Sequence, residues 1–131
     1  MDTTTAFRHD RQRTLRIAFH GSPGVEVLTL TGSLDIFTAH RLRNVVWDSL
    51  CTQPLLVLDL DGVEFLDPRG IAALVAVRRW AVGRDIEVVL VCAEPHVPKL
   101  LGICRLDTVL PVVDRGDLTD RVHTVLAAAA S

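Results

Sequence analysis

The stretch LLVLDLDGVEFLDPRGIAAL, residues 55–74, holds the residues whose types and spacing could do chemistry. An apolar run ends in Asp59-Leu60-Asp61-Gly62, and a third aspartate, Asp67, precedes Pro68-Arg69-Gly70. Two carboxylates one residue apart at a strand end can share a Mg2+ ion while one of them attacks phosphorus. That chemistry has further needs. A lysine or arginine must neutralise phosphoryl charge, and carboxylates on a later strand must complete the metal shell. The next apolar strand, IEVVLVC, is followed by Ala93-Glu94-Pro95 and not by an acidic pair, and the sole lysine, Lys99, falls in a predicted helix.

The elements that position these residues can be read from the patterning. The chain has 131 residues, 49% hydrophobic and 23% charged, which suits one globular domain with one core. Residues 1–13 read as a mobile polar leader, and the domain as residues 14–131. TLRIAF and VEVLTL are strands joined by HGSPG, whose Ser22, Pro23 and Gly24 are turn formers, so a hairpin is expected. Phe37, Leu42, Val45, Val46, Trp47 and Leu50 recur at helical spacing over about 38–50, with Thr38 as N-cap. LLVLDL is apolar throughout, as in a strand covered on both faces. Asp67 is a preferred N-cap and Pro68 suits the first position of a helix that runs to Gly83. IEVVLVC is a second buried strand, HVPKLLGICR a short helix, and TVLPVV an edge strand because it contains Pro111. DLTDRVHTVLAAAA closes the chain as a helix capped by Asp117. The order is ββαβαβαβα: an α/β domain with a mixed, mostly parallel sheet behind an N-terminal hairpin.

Composition excludes several function classes. Lys+Arg 14 against Asp+Glu 16 gives a net charge of −2, so no basic excess marks direct nucleic-acid binding. No apolar run reaches the roughly 18 residues of a membrane span, and the N-terminus lacks a secretory h-region, so a cytoplasmic location without membrane insertion is expected. The odd cysteine count, Cys51, Cys92 and Cys104, suits a reducing compartment. The thiols of Cys92 and Cys104 are expected at opposite ends of the helix between them, too far apart for a disulfide. The five histidines show no metal-ligand spacing. RGD at 115–117 reads as a loop and helix cap.

LVLDLDGV is similar to the signature of haloacid-dehalogenase-like phosphatases, which would use Asp59 and Asp61. That motif opens its fold, whereas here a hairpin and a helix precede it. The preferred reading makes Asp59 and Asp61 strand-end residues bonded to nearby backbone. The broader resemblance is to the STAS domain family of the bacterial anti-sigma factor antagonist type. LTLTGSLDIFTAHRL resembles its Gly-x-Leu-Asp element with a Thr-Ala pair opening the first helix. LLVLDLDGVEFLDPRGIAALV resembles its Val-x-Phe-hydrophobic-Asp-Ser-Ser-Gly element, and VVLVCAEPHVPKLLGICRLDTVLPVV its later strand, helix and last strand.

The resemblance implies a binding module with no catalytic residue and no cofactor. Its partner would be an anti-sigma factor of kinase-like ATPase fold, and binding would free a sigma factor. Homodimerisation stays open. A different branch of the family supplies accessory subunits of lipid or anion transporters, which is the alternative. The partner-binding residues implied are Ser33, Asp35, Thr38, Asp67, Pro68, Arg69, Gly70, Ala73 and Val77. Arg79 and Trp80 could anchor the rim. The family's phosphoacceptor serine falls on Pro68, which has no hydroxyl, and its second serine on Arg69. Two readings follow: an antagonist that phosphorylation at this loop cannot switch off, which is preferred, or a binder whose partner is not a kinase. Ser33 and Thr38 are the nearest alternative phosphoacceptors. Arg69 either meets an acidic patch on the partner or stays solvated.

Overall fold

A computed structural model describes residues 14–49 and 52–130; the expected leader, Leu50 and Cys51 lie outside them. The described residues form strands β1 (Leu15–Ser22), β2 (Val25–Leu34), β3 (Leu55–Leu66), β4 (Glu87–Val91) and β5 (Val112–Val113). Between and after them come helices α1 (Ala39–Asp48), α2 (Pro68–Val82), α3 (His96–Ile103) and α4 (Arg115–Ala130). The order ββαβαβαβα is the one expected. The strands lie in the sheet in chain order, with β1 antiparallel to β2 and every later pairing parallel.

Alternation along the strands divides the core between two faces. Leu56, Leu58 and Leu60 of β3 join Leu28, Leu30, Val88 and Leu90 under α1, α2 and α3, which contribute Leu42, Val46, Leu74, Val77, Val97 and Leu101. Leu55 and Val57 point the other way, with Val25, Val89 and Val91, under Leu118, Val122, Val125 and Leu126 of α4. Burial on both faces is why the first half of β3 reads as an unbroken apolar run.

β3 has twelve residues, twice the length of LLVLDL. Its pairing with β4 ends at Asp59↔Val91, while its pairing with β2 continues to Leu34↔Leu66. The extra length follows from Val63, buried at 9%, which keeps one face of the extension in the core while Glu64 and Phe65 are exposed. The β2–β3 register shifts between Thr29 and Thr31 and again between Gly32 and Ser33. Such bulges bend and twist a strand end. Gly32 has φ +107°, and a Cβ there would lie 2.1 Å from the Thr14 carbonyl oxygen, so only glycine fits.

The helix ends correct several expectations. α1 stops at Asp48, and Thr38 occupies its N-cap position without capping; its hydroxyl is used elsewhere. α2 has the expected Asp67 cap, Pro68 start and Gly83 end. α4 begins at Arg115, three residues early, because Asp114 and not Asp117 caps it: the Asp114 carboxylate accepts from the Asp117 N–H at 2.8 Å. RGD is therefore the first turn of a helix. β5 keeps the edge position but shrinks to two residues that begin after Pro111.

Replacing Gly32 with alanine is expected to cost about 1–3 kcal/mol in urea unfolding, since the new methyl meets backbone that cannot retreat. A loss no larger than that of an exposed strand substitution would count against the bulge as a fixed feature.

Candidate functional site

The extended end of β3 brings Asp67 beside the turn that leaves β2. Asp67 caps α2, its Oδ1 accepting from the Gly70 N–H at 2.9 Å, while its Oδ2 accepts from the Ile36 N–H at 3.2 Å. One side chain thus ties the start of α2 to the residue 35–38 turn. The Asp67 N–H donates to the Leu34 carbonyl at 3.3 Å, closing the two segments from the backbone side. Gly70 permits that closeness: a Cβ there would lie 2.2 Å from the Leu34 carbonyl oxygen and 2.8 Å from a Leu66 methyl.

Asp35 and Thr38 shape the other half. Asp35 Oδ1 accepts from the N–H groups of Phe37 (2.9 Å) and Thr38 (3.2 Å), an Asx-type turn. The Thr38 hydroxyl donates to the Ser33 carbonyl at 2.7 Å and accepts from the Asp35 N–H at 3.0 Å. Asp35 is fully buried, and its Oδ2 has no hydrogen-bond partner among the described residues. The outcome is a rigid turn that pushes Ile36 (55% exposed) and Phe37 (53%) outward.

The residues singled out by sequence separate into two groups. Pro68 and Arg69 are exposed and Asp67 is half-buried. Ser33, Asp35, Thr38 and Gly70 are buried beneath them and build the loops without forming their surface. Ala73 and Val77 face the core, as does Trp80, which stacks at a tilt against Trp47 with ring centroids 5.9 Å apart and carries the Arg84 guanidinium over its face. The outward side of α2 is instead Ala72, Val75, Ala76 and Arg79, which with Pro68, Ile71 and Leu106 lines a shallow groove. Sequence reasoning missed Ile36, Phe37 and Phe65 as surface residues. Phe37 sat in the helical periodicity, and the turn geometry that expels it depends on long-range contact with Asp67.

Asp59 and Asp61 hold a cation that sequence reasoning also missed. The Arg115 guanidinium reaches Asp59 Oδ2 at 2.7 Å and Asp61 Oδ2 at 2.8 Å. Asp59 Oδ1 accepts from the Asp61 N–H at 3.0 Å, and Asp61 Oδ1 from the Ala93 N–H at 2.8 Å. The Ala93 N–H, and with it Arg115, holds the Asp61 carboxyl below the usual aspartate pKa, while the two carboxylates push Arg115 up. The bonding to neighbouring backbone was expected; the arginine, more than fifty residues away, had no local signal. All four carboxylate oxygens are engaged, and the pair's structural task is to anchor the first turn of α4 at the middle of β3, where its pairing with β4 ends. Among the described residues no group of three His, Cys, Asp or Glu side chains could hold a metal. Cys92 is buried, which raises its pKa, and Cys104 is exposed; both are free thiols.

Residues 16–123 match the STAS domain model. The chain is 33% identical over 95 residues to the anti-sigma-F factor antagonist RsfB of Mycobacterium tuberculosis, covering 72% of this chain and 75% of that one. A crystal structure of an anti-sigma factor antagonist from Mycobacterium paratuberculosis superposes with a TM-score of 0.68 at 26% identity, covering 86% of this chain and 95% of the other. A sulfate transporter family protein from Wolinella succinogenes gives a TM-score of 0.71 at 18% identity, covering 82% and 93%; that likeness shows the fold alone. This chain belongs to the STAS domain family. No helix among the described residues is long and apolar enough to cross a membrane.

Replacing Arg115 with methionine strands the nearly buried Asp59 carboxylate and is expected to cost about 1–3 kcal/mol of stability. Because Asp61 titrates lower in the folded state, its stabilising contribution is complete above a pH of about 4 and fades as pH falls below that. The Asp61→Asn variant should therefore be less stable than the parent at neutral pH and lose less on acidification, measured by denaturant midpoints across the acid range.

Proposed function

We propose that this protein is an anti-sigma factor antagonist: a binding module, not an enzyme, that engages an anti-sigma factor of kinase-like ATPase fold and thereby frees a sigma factor in the cytoplasm. The observation that carries the reading is the surface held by Asp67. Ile36, Phe37, Phe65, Pro68 and Arg69 are exposed side chains on two segments, the turn after β2 and the β3–α2 junction, cross-tied by one carboxylate. Large apolar side chains grouped beside a cation on a rigid frame are what a protein partner buries. The names of the relatives support the same function.

The chemistry of the loop supports constitutive action. Position 68 offers no hydroxyl, and the nearest ones, Ser33 and Thr38, are buried, with the Thr38 hydroxyl already bonded on both sides. Phosphate in such a loop would add about −1.5 to −2 charge. Arg69 instead fixes a positive charge there, and among the described residues no carboxylate pairs with it. Asp67, the nearest acid in sequence, has both oxygens committed to backbone N–H groups. An anti-sigma factor bound here would meet Arg69 with an acidic residue.

The test uses purified ATPase-fold anti-sigma factors from the same cell. One of them should form a stable complex with this chain, and labelled ATP should leave no label on it, whereas Pro68→Ser should accept label at that position. Phe37→Ala and Arg69→Glu should each weaken the complex by about tenfold or more. Absence of a complex with every such factor would defeat the assignment, and label on the wild-type chain between Asp67 and Gly70 would defeat the constitutive reading.

A further inference from the structure

The edge of the sheet opposite the hairpin carries a second feature that the proposed antagonist surface does not use. β4 has five residues, but β5 pairs only with Leu90 and Val91. In a parallel sheet, alternate residues direct both their N–H and their C=O to the same neighbour. Glu87 donates to the Pro54 carbonyl on the β3 side at 2.9 Å, and Leu90 donates to the Pro111 carbonyl on the β5 side at 2.9 Å. Val88, two residues before Leu90, therefore directs its N–H and C=O to the β5 side, where β5 has not yet begun. The residue placed to donate to the Val88 carbonyl is Pro111, which has no N–H. Among the described residues no backbone bond reaches either group, yet Val88 is only 4% exposed.

The space where β5 is missing is an open notch of about 450 Å3. Val88 and Ile86 form its floor, Thr108, Val109 and Pro111 one wall, Arg78 of α2 reaches it from above and Arg121 of α4 from below. Arg121 Nε lies 3.6 Å from Glu87 Oε2, an ion pair too long for a hydrogen bond, and is buried without a hydrogen-bond partner among the described residues. Asp85 and Glu87 lie at the mouth, where β4 starts.

We propose that this notch is a binding site for the carboxyl-terminal end of an extended peptide from a partner protein. The peptide's terminal carboxylate supplies the acceptor that the Val88 N–H lacks, in the manner of strand addition, while the place beside the Val88 C=O stays filled by Pro111. Pro111 and β5 plug the notch in the strand direction, so an incoming segment must end there. Running parallel to β4, it ends in a carboxylate, which Arg78 and Arg121 can bind; antiparallel, it would bring an ammonium to two arginines. Asp85 and Glu87 then face the residues just before the terminus and favour cations there.

The probe is a short N-acetylated peptide, Ac-Lys-Ala-Val-Ala with a free carboxylate, titrated into the 15N-labelled full chain and followed by amide shifts. Saturable shifts are expected at Val88, Thr108 and Val109, and the same peptide with an amidated C-terminus should bind about tenfold more weakly. Arg78→Met should weaken binding to a similar degree. Pro111→Val, which restores the N–H and lets β5 grow into the notch, should abolish it in a protein whose remaining spectrum is unchanged. No saturable shift at these amides, equal binding of the amidated peptide, or shifts confined to the Asp67 loop would each overturn the proposal. Antagonist activity would be untouched by any of those results.

Discussion

Both oxygens of the Asp67 carboxylate are committed to main-chain N–H groups that lie far apart in sequence, Gly70 at the start of α2 and Ile36 in the turn after β2. Either bond alone would be ordinary. Together they make two loops into one surface and remove the freedom of each to move without the other. Around this link the neighbouring choices become intelligible. Gly70 lets the first turn of α2 press against the Leu34 carbonyl, and the buried Asp35 holds the turn that pushes Ile36 and Phe37 into solvent. β3 runs past the end of β4 because Asp67 must arrive level with the end of β2. The proposed partner surface is thus preorganised in the free protein, so little ordering would be left for the moment of binding.

The acidic pair that first suggests phosphate chemistry does a different task farther back on the same strand, β3. Arg115 and the Ala93 N–H occupy Asp59 and Asp61 and fasten α4 to the end of the sheet, where its apolar side covers Val57, Val89 and Val91. Two aspartates two residues apart on a strand point to the same face, and here that face is the one α4 covers. The geometry that would allow a shared metal instead allows a shared arginine.

Element types and their order were legible because each followed a local signal: apolar runs for β3 and β4, Ser22-Pro23-Gly24 for the hairpin, Asp67-Pro68 for the start of α2. The same holds for the Asp67 cap and the missing hydroxyl at position 68. What sequence could not supply was direction. Ala73 and Val77 face the core while Ala72 and Ala76 face out, and a helix apolar on most of its circumference gives no stripe from which to tell them apart. Likewise Thr38 resembled a capping residue, but its hydroxyl is drawn to the Ser33 carbonyl by the bulged end of β2, a tertiary competition invisible to propensity. Arg115 escaped notice because its partners are set by the packing of α4 across the sheet. Pro111 announced an edge strand, and the structure adds that it also ends the pairing early, leaving the Val88 backbone groups facing the notch.

The central claim is that the surface tied together by Asp67 is where the anti-sigma factor sits. Amide hydrogen exchange of this chain, alone and saturated with that ATPase-fold partner, tests it most directly. The account expects new protection concentrated at residues 36–38 and 65–72, with little change in α4 and at the β4–β5 edge. Protection confined to α4 or the β4–β5 edge, with the two loops exchanging as they do in the free chain, would contradict it.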